Sequence, residues 1–345
     1  MYWKYALKRI LIAIIVFIVI IFIFSLLFNK VAETTLKGQI DEIVKAEVLS
    51  MSKNNRNIDI GEYRKSRLEF YYKKYHMNDS YVEKVFWRTY DTVTFNFGRA
   101  TNMKSSRGSD KVVDIIAEAL PRTLILFTVA IIIEIILGIW IGLKKAQKAG
   151  GAMDKSTSVA TMIVFGMPSW WLGMIMIMFF AYVLKLFPSG GMHSVPTPEG
   201  FAYFLDYVYH LILPVFTLVL LGFWGNAFLT RNIVLGTLQE DFIMSARARG
   251  IPEKNILFGH TLRTSAPPII TMALLSLLGS IGGNLVFEGI FSWRGMGNLY
   301  WSAVQSNDIP VLIGNLAVTT GIYMIGLVIL DLIYGFLDPR IKVGG

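Results

Sequence analysis

The chain alternates between long apolar runs and polar stretches. From Ile10 to Phe28 only Ser25 interrupts the apolar side chains, and at 1.5 Å per residue the run reaches roughly 28 Å, enough to cross the hydrocarbon core of a bilayer. Further runs lie near Leu120–Leu143, Val159–Phe187, His210–Leu235, Pro267–Phe287 and Pro310–Tyr334, each long enough to span with some tilt. The pattern predicts an all-α membrane protein with six transmembrane helices. Residues 29–119 differ in kind: they are charged, mixed in sign and carry aromatic clusters such as Phe70, Tyr71, Tyr72 and Tyr75. They read as a water-facing insert in which Glu62–His76 forms a helix, its tyrosines either packed on a neighbouring surface or merely solvated. The predicted organisation is an N-terminus and first span over 1–28, the insert over 29–119 and a five-span core over 120–345. Bulky Leu27 and Phe28 precede Asn29 where a cleavage site needs small residues, so the first run is expected to remain as a helix.

Composition agrees with a bilayer as solvent, since 54% of residues are hydrophobic and only 17% charged, with a mean hydropathy of +0.53. Cysteine is absent, which excludes disulfides, thiolate metal sites and thiol nucleophiles. The net charge of +9 finds its cause in where the cations sit. Lys4, Lys8 and Arg9, then Lys144, Lys145, Lys148 and Lys155, then Arg247, Arg249, Lys254 and Arg263, then Arg340 and Lys342 fall on one side, whereas 188–209 has no Lys or Arg and 288–309 only Arg294. By the positive-inside rule both termini are cytoplasmic and the insert is extracellular, in a multi-pass protein of the cell membrane. The asymmetry accounts for the charge without nucleic acid.

The most informative polar connection runs from Gln239 to Pro268, with its core at 239–266. Helix-forming residues flank Gly250 and Pro252, which predicts two short helices with a sharp turn between them. This segment resembles the EAA loop of ABC importer permeases. Its form, Ala246-Arg247-Ala248-Arg249-Gly250 followed by His260, Leu262 and Arg263, is similar to the oligopeptide, dipeptide and nickel branch, and to its first-permease subunit. The same resemblance is carried by Asn96-Phe97-Gly98-Arg99, by Leu120-Pro121-Arg122-Thr123-Leu124, by Pro168, by Leu213-Pro214, by Glu288–Gly297 (EGIFSWRGMG) and by Leu337-Asp338-Pro339-Arg340. There are two departures. Gly250 fixes the three EAA positions at Met244, Ser245 and Ala246, so only the last is alanine, and Arg294 stands where the family usually has proline.

The resemblance implies a type I importer permease fold whose second to sixth spans pair with a homologous permease. It implies two partner ATPases on the cytoplasmic side and an extracellular solute-binding protein that delivers cargo. Asp241–Arg249 would be the coupling helix, with Asp241, Met244, Ser245, Ala246, Arg247, Arg249 and Gly250 as the ATPase-coupling residues. The competing reading is a basic amphipathic helix lying on lipid headgroups. No G-x-x-x-x-G-K-[ST] phosphate loop occurs, so no ATPase site and no cofactor are expected in this chain, and ATP and magnesium would be bound by the partners. The histidines His76, His193, His210 and His260 are scattered without ligand spacing, and no metal site is expected.

Inside the apolar runs, Glu134 and Asn226 are the candidates to line a pathway. Glu134 equally suits an interhelical hydrogen bond from a protonated carboxyl. Arg231 and Lys185 read as snorkelling side chains, Trp170, Trp171, Trp293 and Trp301 as packing or interfacial aromatics, and Gly282 and Gly283 as points of close helix packing. The function implied is half of a translocation pathway for peptides. Oligosaccharides or nickel are alternative cargoes, and an ion-coupled secondary transporter using Glu134 is the rival class. The insert is the candidate surface that receives the binding protein or caps the vestibule.

Overall fold

The structure, a computed structural model, describes residues 2–54, 59–280 and 282–337. Among them there is no strand; helices and turns are joined by one isolated bridge between Arg99 and Lys111. Among the described residues five helices are long and apolar enough to cross a membrane, and a bent pair makes a sixth if it counts as one span. The described residues divide into two compact units: those up to Glu118 with Leu299–Val328, and Ala119–Asn298 with Ile329–Leu337.

In the first unit α1 runs unbroken from Tyr2 to Asn54, roughly 80 Å at 1.5 Å per residue. The boundary expected at residue 28 is therefore a change of side-chain character and not of backbone. Helix formers such as Lys, Glu, Ala and Leu carry the coil past the apolar run, and the lone Gly38 does not stop it. Two further helices, α2 (Ile60–Lys74) and α3 (Tyr81–Val93), pack on the polar part of α1. Asp59 caps α2 through the Gly61 N–H, and Ser80 and Glu83 form a reciprocal capping box at the start of α3. Ile40, Val44 and Met77 are buried together, with Leu36, Val48, Leu68, Tyr71 and Tyr72 against them. The tyrosines thus divide, Tyr71 and Tyr72 packing while Phe70 and Tyr75 stay exposed. Arg67 closes on Glu47 at 2.6 Å, and the Tyr71 hydroxyl donates to the same carboxylate at 2.6 Å.

The second unit holds most of α4 (Val112–Gln147), then α5 (Ala152–Phe165), α6 (Ser169–Met176) continued by a π-helical turn Ile177–Val183, and α7 (Phe201–Leu238). The third span, expected as one run over 159–187, is broken: α5 and α6 meet at 101°. Pro168 disfavours the helical region for the residue before it and brings no N–H of its own, and here the helix stops at Phe165 and restarts at Ser169 with Pro168 as its N-cap. Next come α8 (Asp241–Ala248), α9 (Glu253–Asn255), a π-helical turn Ile256–Thr261, α10 (Leu262–Gly279), α11 (Leu285–Ile290), α12 (Met296–Gln305) and α13 (Ile309–Leu337).

The fifth span also departs from expectation. Its helix is continuous from Glu253 to Gly279 and does not reach Phe287, because Gly279, Gly282 and Gly283 end it and Gly283 sits at φ +70°. Gly283 is thus a turn residue, and it is also the point of close packing expected of it, since a Cβ there would stand 2.5 Å from Glu288 Oε1 and 3.2 Å from Thr123 Cγ2 of α4. Asn284 then restarts the chain by capping α11, accepting the Phe287 N–H at 3.0 Å. The core of this unit gathers Leu126, Phe127, Met176, Leu213, Val219, Phe287, Phe291 and Trp293 from α4, α6, α7, α11 and the turn after α11. Of the closing element, Asp338, Pro339 and Arg340 lie outside the described residues, as does Lys342.

Candidate functional site

Within the second unit, α8 begins after Gln239 and Glu240 and is built in two faces. Ile243 and Ala246 are buried against Ile256, with Leu238 and Ile251 beside them. Asp241, Phe242, Met244, Ser245, Arg247 and Arg249 are exposed. Ala246, expected among the ATPase-coupling residues, points inward, so it anchors the helix and offers no contact surface. Gly250 closes α8 at φ +73°, where an L-residue is strained. Its N–H bonds Arg247 O at 2.9 Å and the Ile251 N–H bonds Ala246 O at 3.3 Å, the paired bonds of a Schellman stop with its accompanying apolar contact. Pro252 then opens the next helix, which is not short but runs straight into α10. Arg247 reaches Glu253 with two hydrogen bonds, at 2.7 and 3.3 Å, and staples the elbow.

The elbow is fixed to the spans. Leu143 and Ala146 of α4, Val234 of α7, Leu257 of the π-helical turn and Ile269 of α10 form one buried cluster, and the Thr237 and Ser265 hydroxyls meet at 2.9 Å between α7 and α10. Close by, Arg231 is paired: its Nη2 donates to Asp154 Oδ2 at 2.7 Å, which also accepts the Gly150 N–H at 3.0 Å. Lys145, fully buried, stands 3.9 Å from Asp154 Oδ1. An apolar surrounding makes this pairing preferable to an unpaired charge, and it ties α4, α5 and α7 together.

Further along the same two helices the structure brings Glu134 and Asn226 onto one seam. A Cβ on Gly138 would stand 2.5 Å from Asn226 Cβ and one on Gly142 would stand 2.6 Å from Thr230 Cβ, while the Glu134 carboxyl lies directly against Gly222. Positions 134, 138 and 142 of α4 thus meet 222, 226 and 230 of α7, so the helices run side by side in the same direction at close approach. Asn226 is buried in this seam and Glu134 is half-buried.

At the far ends of α4 and α7, Glu288 of α11 is fully buried. It accepts the Thr123 hydroxyl at 2.9 Å and the Asn298 N–H at 3.0 Å, and Thr123 in turn accepts the Met296 N–H at 2.7 Å. Burial pushes the Glu288 carboxyl up to about 7, partly offset by these donors. Gly283 and Gly295 have no room for a side chain beside it. Trp293, also fully buried, donates its indole N–H to Arg122 O at 3.0 Å. Beside this knot opens a cavity of about 1080 Å³ whose lining includes Arg122, Arg294, His193, Tyr203, Phe204 and Tyr207. Two guanidinium groups and an aromatic wall suit an anionic or carboxylate-ended solute.

Sequence reasoning overlooked Gly138 and Gly142, although Gly-x-x-x-Gly is a legible small-residue motif, and it overlooked Thr123 as the partner of Glu288. Asp154 carried no local signal, since its partners are far away in sequence.

A bundle of apolar helices with a short polar helix fixed to their ends defines a membrane transport component without a clustered metal site among the described residues. Residues 134–343 match the family described as binding-protein-dependent transport system inner membrane component, and the chain belongs to that family. Among its relatives, the oligopeptide transport system permease protein AppB of Bacillus subtilis is 33% identical over 79% of this chain and 84% of its own. The dipeptide transport system permease protein DppB of the same organism is 29% identical over 87% of this chain and 91% of its own. The inner membrane ABC transporter permease protein YejB of Escherichia coli O157:H7 is 30% identical over 76% and 72%.

Proposed function

We propose that the chain is the permease subunit of an ATP-driven importer that moves peptides delivered by an extracellular solute-binding protein. It would pair with a homologous permease and two partner ATPases, which would bind and hydrolyse the ATP. The observation that carries this reading is the construction of α8: one face exposed, the other bolted through Ile243 and Ala246 to the helix that becomes α10. A short helix held this rigidly passes a push on its exposed face to α10 and α7 as a rigid-body shift. In this reading the α8 end faces the cytosol, in keeping with Lys144, Lys145, Lys148, Lys155, Arg247, Arg249, Lys254 and Arg263 nearby. The cavity beside Glu288 would then open outward and receive cargo, and the names of the relatives favour peptides as that cargo. The energy for alternating access comes from different affinities of the ATPases for two arrangements, not from chemistry by this chain.

Cysteine placed at Met244 or Ser245 should crosslink to a co-expressed ATPase, with an efficiency that changes between nucleotide states. Cysteine at the inward-facing Ala246 should not. Absence of a crosslink from all exposed α8 positions in every nucleotide state would overturn the reading.

A further inference from the structure

We propose that α3 of the insert is a membrane-surface helix, seated with its exposed apolar face on the phospholipid interface at the distal end of the first span. Three observations within the first unit support this. The first is height. The Tyr81 hydroxyl donates to Leu26 O at 3.1 Å, and Arg88 Nη1 donates to Asn29 O at 3.0 Å and to Asn29 Oδ1 at 2.6 Å. Leu26 is within the last turn of the apolar run and Asn29 is the first polar residue after it, so α3 is held where hydrocarbon gives way to headgroups. The second is facing. Val85, Thr89 and Thr92 are buried, and the adjoining sector of the helix, Val82, Phe86 and Tyr90 at a four-residue spacing, is exposed at 71%, 59% and 55%. Lys84 and Arg88 lie on the side turned to α1, where Lys84 Nζ donates to Glu33 Oε1 at 3.3 Å and Arg88 reaches Asn29, and the exposed Glu83 and Asp91 lie beyond Tyr90 on the flank away from Val85 and Thr89. The third is continuity: at the same level α1 exposes Ile23, Leu26 and Leu27, the lipid-facing surface of a spanning helix.

An aromatic and aliphatic face exposed at that height, on a helix whose cations hold it to the spanning helix, suits a helix lying in the interface. A bilayer is favoured over a protein partner because the hydrogen bonds fix the face at lipid level instead of up the stalk. The contact does not rest on the transport reading or on which leaflet is involved. Its consequence is that the long stalk of α1 is braced against the membrane at its foot.

The absence of cysteine permits single labels without background. Val82→Cys, Phe86→Cys and Tyr90→Cys, each carrying an environment-sensitive fluorophore, would be made in the full chain, with Lys65→Cys on α2 as the water-exposed reference. The chain would be placed in vesicles of phosphatidylethanolamine and phosphatidylglycerol. Labels at 82, 86 and 90 should be quenched severalfold more by lipids spin-labelled near the headgroup than the label at 65, and severalfold less by iodide. Quenching like that at residue 65 overturns the proposal. So does shielding that appears only when the external binding protein is added, which would make the face a protein-docking surface. The unmodified chain gives a second test: a photoactivatable lipid should mark the peptide 81–95, and marking confined to the spans contradicts the proposal.

Discussion

Glu288 is a fully buried carboxyl, held by a hydroxyl and a backbone N–H. Its protonation level is raised to about 7 by burial, so the folded chain keeps a proton that the unfolded chain releases near the ordinary carboxyl value. The stabilisation is complete below about pH 4.5 and is lost as pH rises through about 7, a swing on the order of 3 kcal/mol at most. Thermal unfolding of the purified protein should therefore show stability falling between pH 5 and 8, and Glu288→Gln should flatten that slope. Parallel pH profiles for the two proteins would show that Glu288 titrates normally. Glu288→Ala should lose about 2–4 kcal/mol at any pH, because Asn298 N–H and the Thr123 hydroxyl lose their acceptor. Sequence reading found Glu288 only as part of a family element. Its partner Thr123 lies in another such element, and nothing in either string says that a buried hydrogen bond joins them.

At the scale of helices, the seam between α4 and α7 depends on what is missing from Gly138 and Gly142. Gly142→Val would press a branched side chain onto Thr230 and should cost about 1–3 kcal/mol, read as a lower unfolding temperature in detergent. Gly142→Ala combined with Thr230→Gly should recover part of the loss suffered by Gly142→Ala alone; strict additivity would place the two residues apart. The elbow after α8 makes a different demand. Space around Gly250 is open, so Gly250→Ala pays only for the left-handed backbone, about 1–2 kcal/mol. Gly250→Asn should be milder, and nucleotide-driven uptake should rank Gly, Asn, Ala. Equal activity in all three would mean that the turn is not needed in that shape.

The elements were legible to different degrees, for physical reasons. Apolar length alone located α1, α4, α7 and α13, since a bilayer leaves few other choices. The breaks were harder. Pro168 does interrupt a span, whereas Pro121, Pro214, Pro267 and Pro268 sit inside helices, and only the packing around each decides which outcome holds. Gly279, Gly282 and Gly283 ended α10 inside what read as an apolar span. The buried pairing of Arg231 with Asp154 was invisible because it joins residues 77 positions apart.

Across the second unit, α4 and α7 run from the cavity lined by Arg122 and Tyr207 to the cluster that anchors α8. Stiff helices with a packed seam can carry a displacement of α8 to the cavity, which a chain of loops could not. Ile243→Asp should uncouple the two ends: it buries a charge against Ile256, so ATPase docking and uptake should fall together, while insertion in the membrane persists. The central claim is that movement of solute by this chain is driven from outside it, through α8. The most direct measurement is uptake of a labelled peptide into vesicles containing the chain alone, or the chain with its second permease, ATPases and binding protein, each with and without ATP and magnesium. Uptake should appear only in the complete assembly with nucleotide. Peptide accumulation by the chain alone, unaffected by ATP, would contradict it.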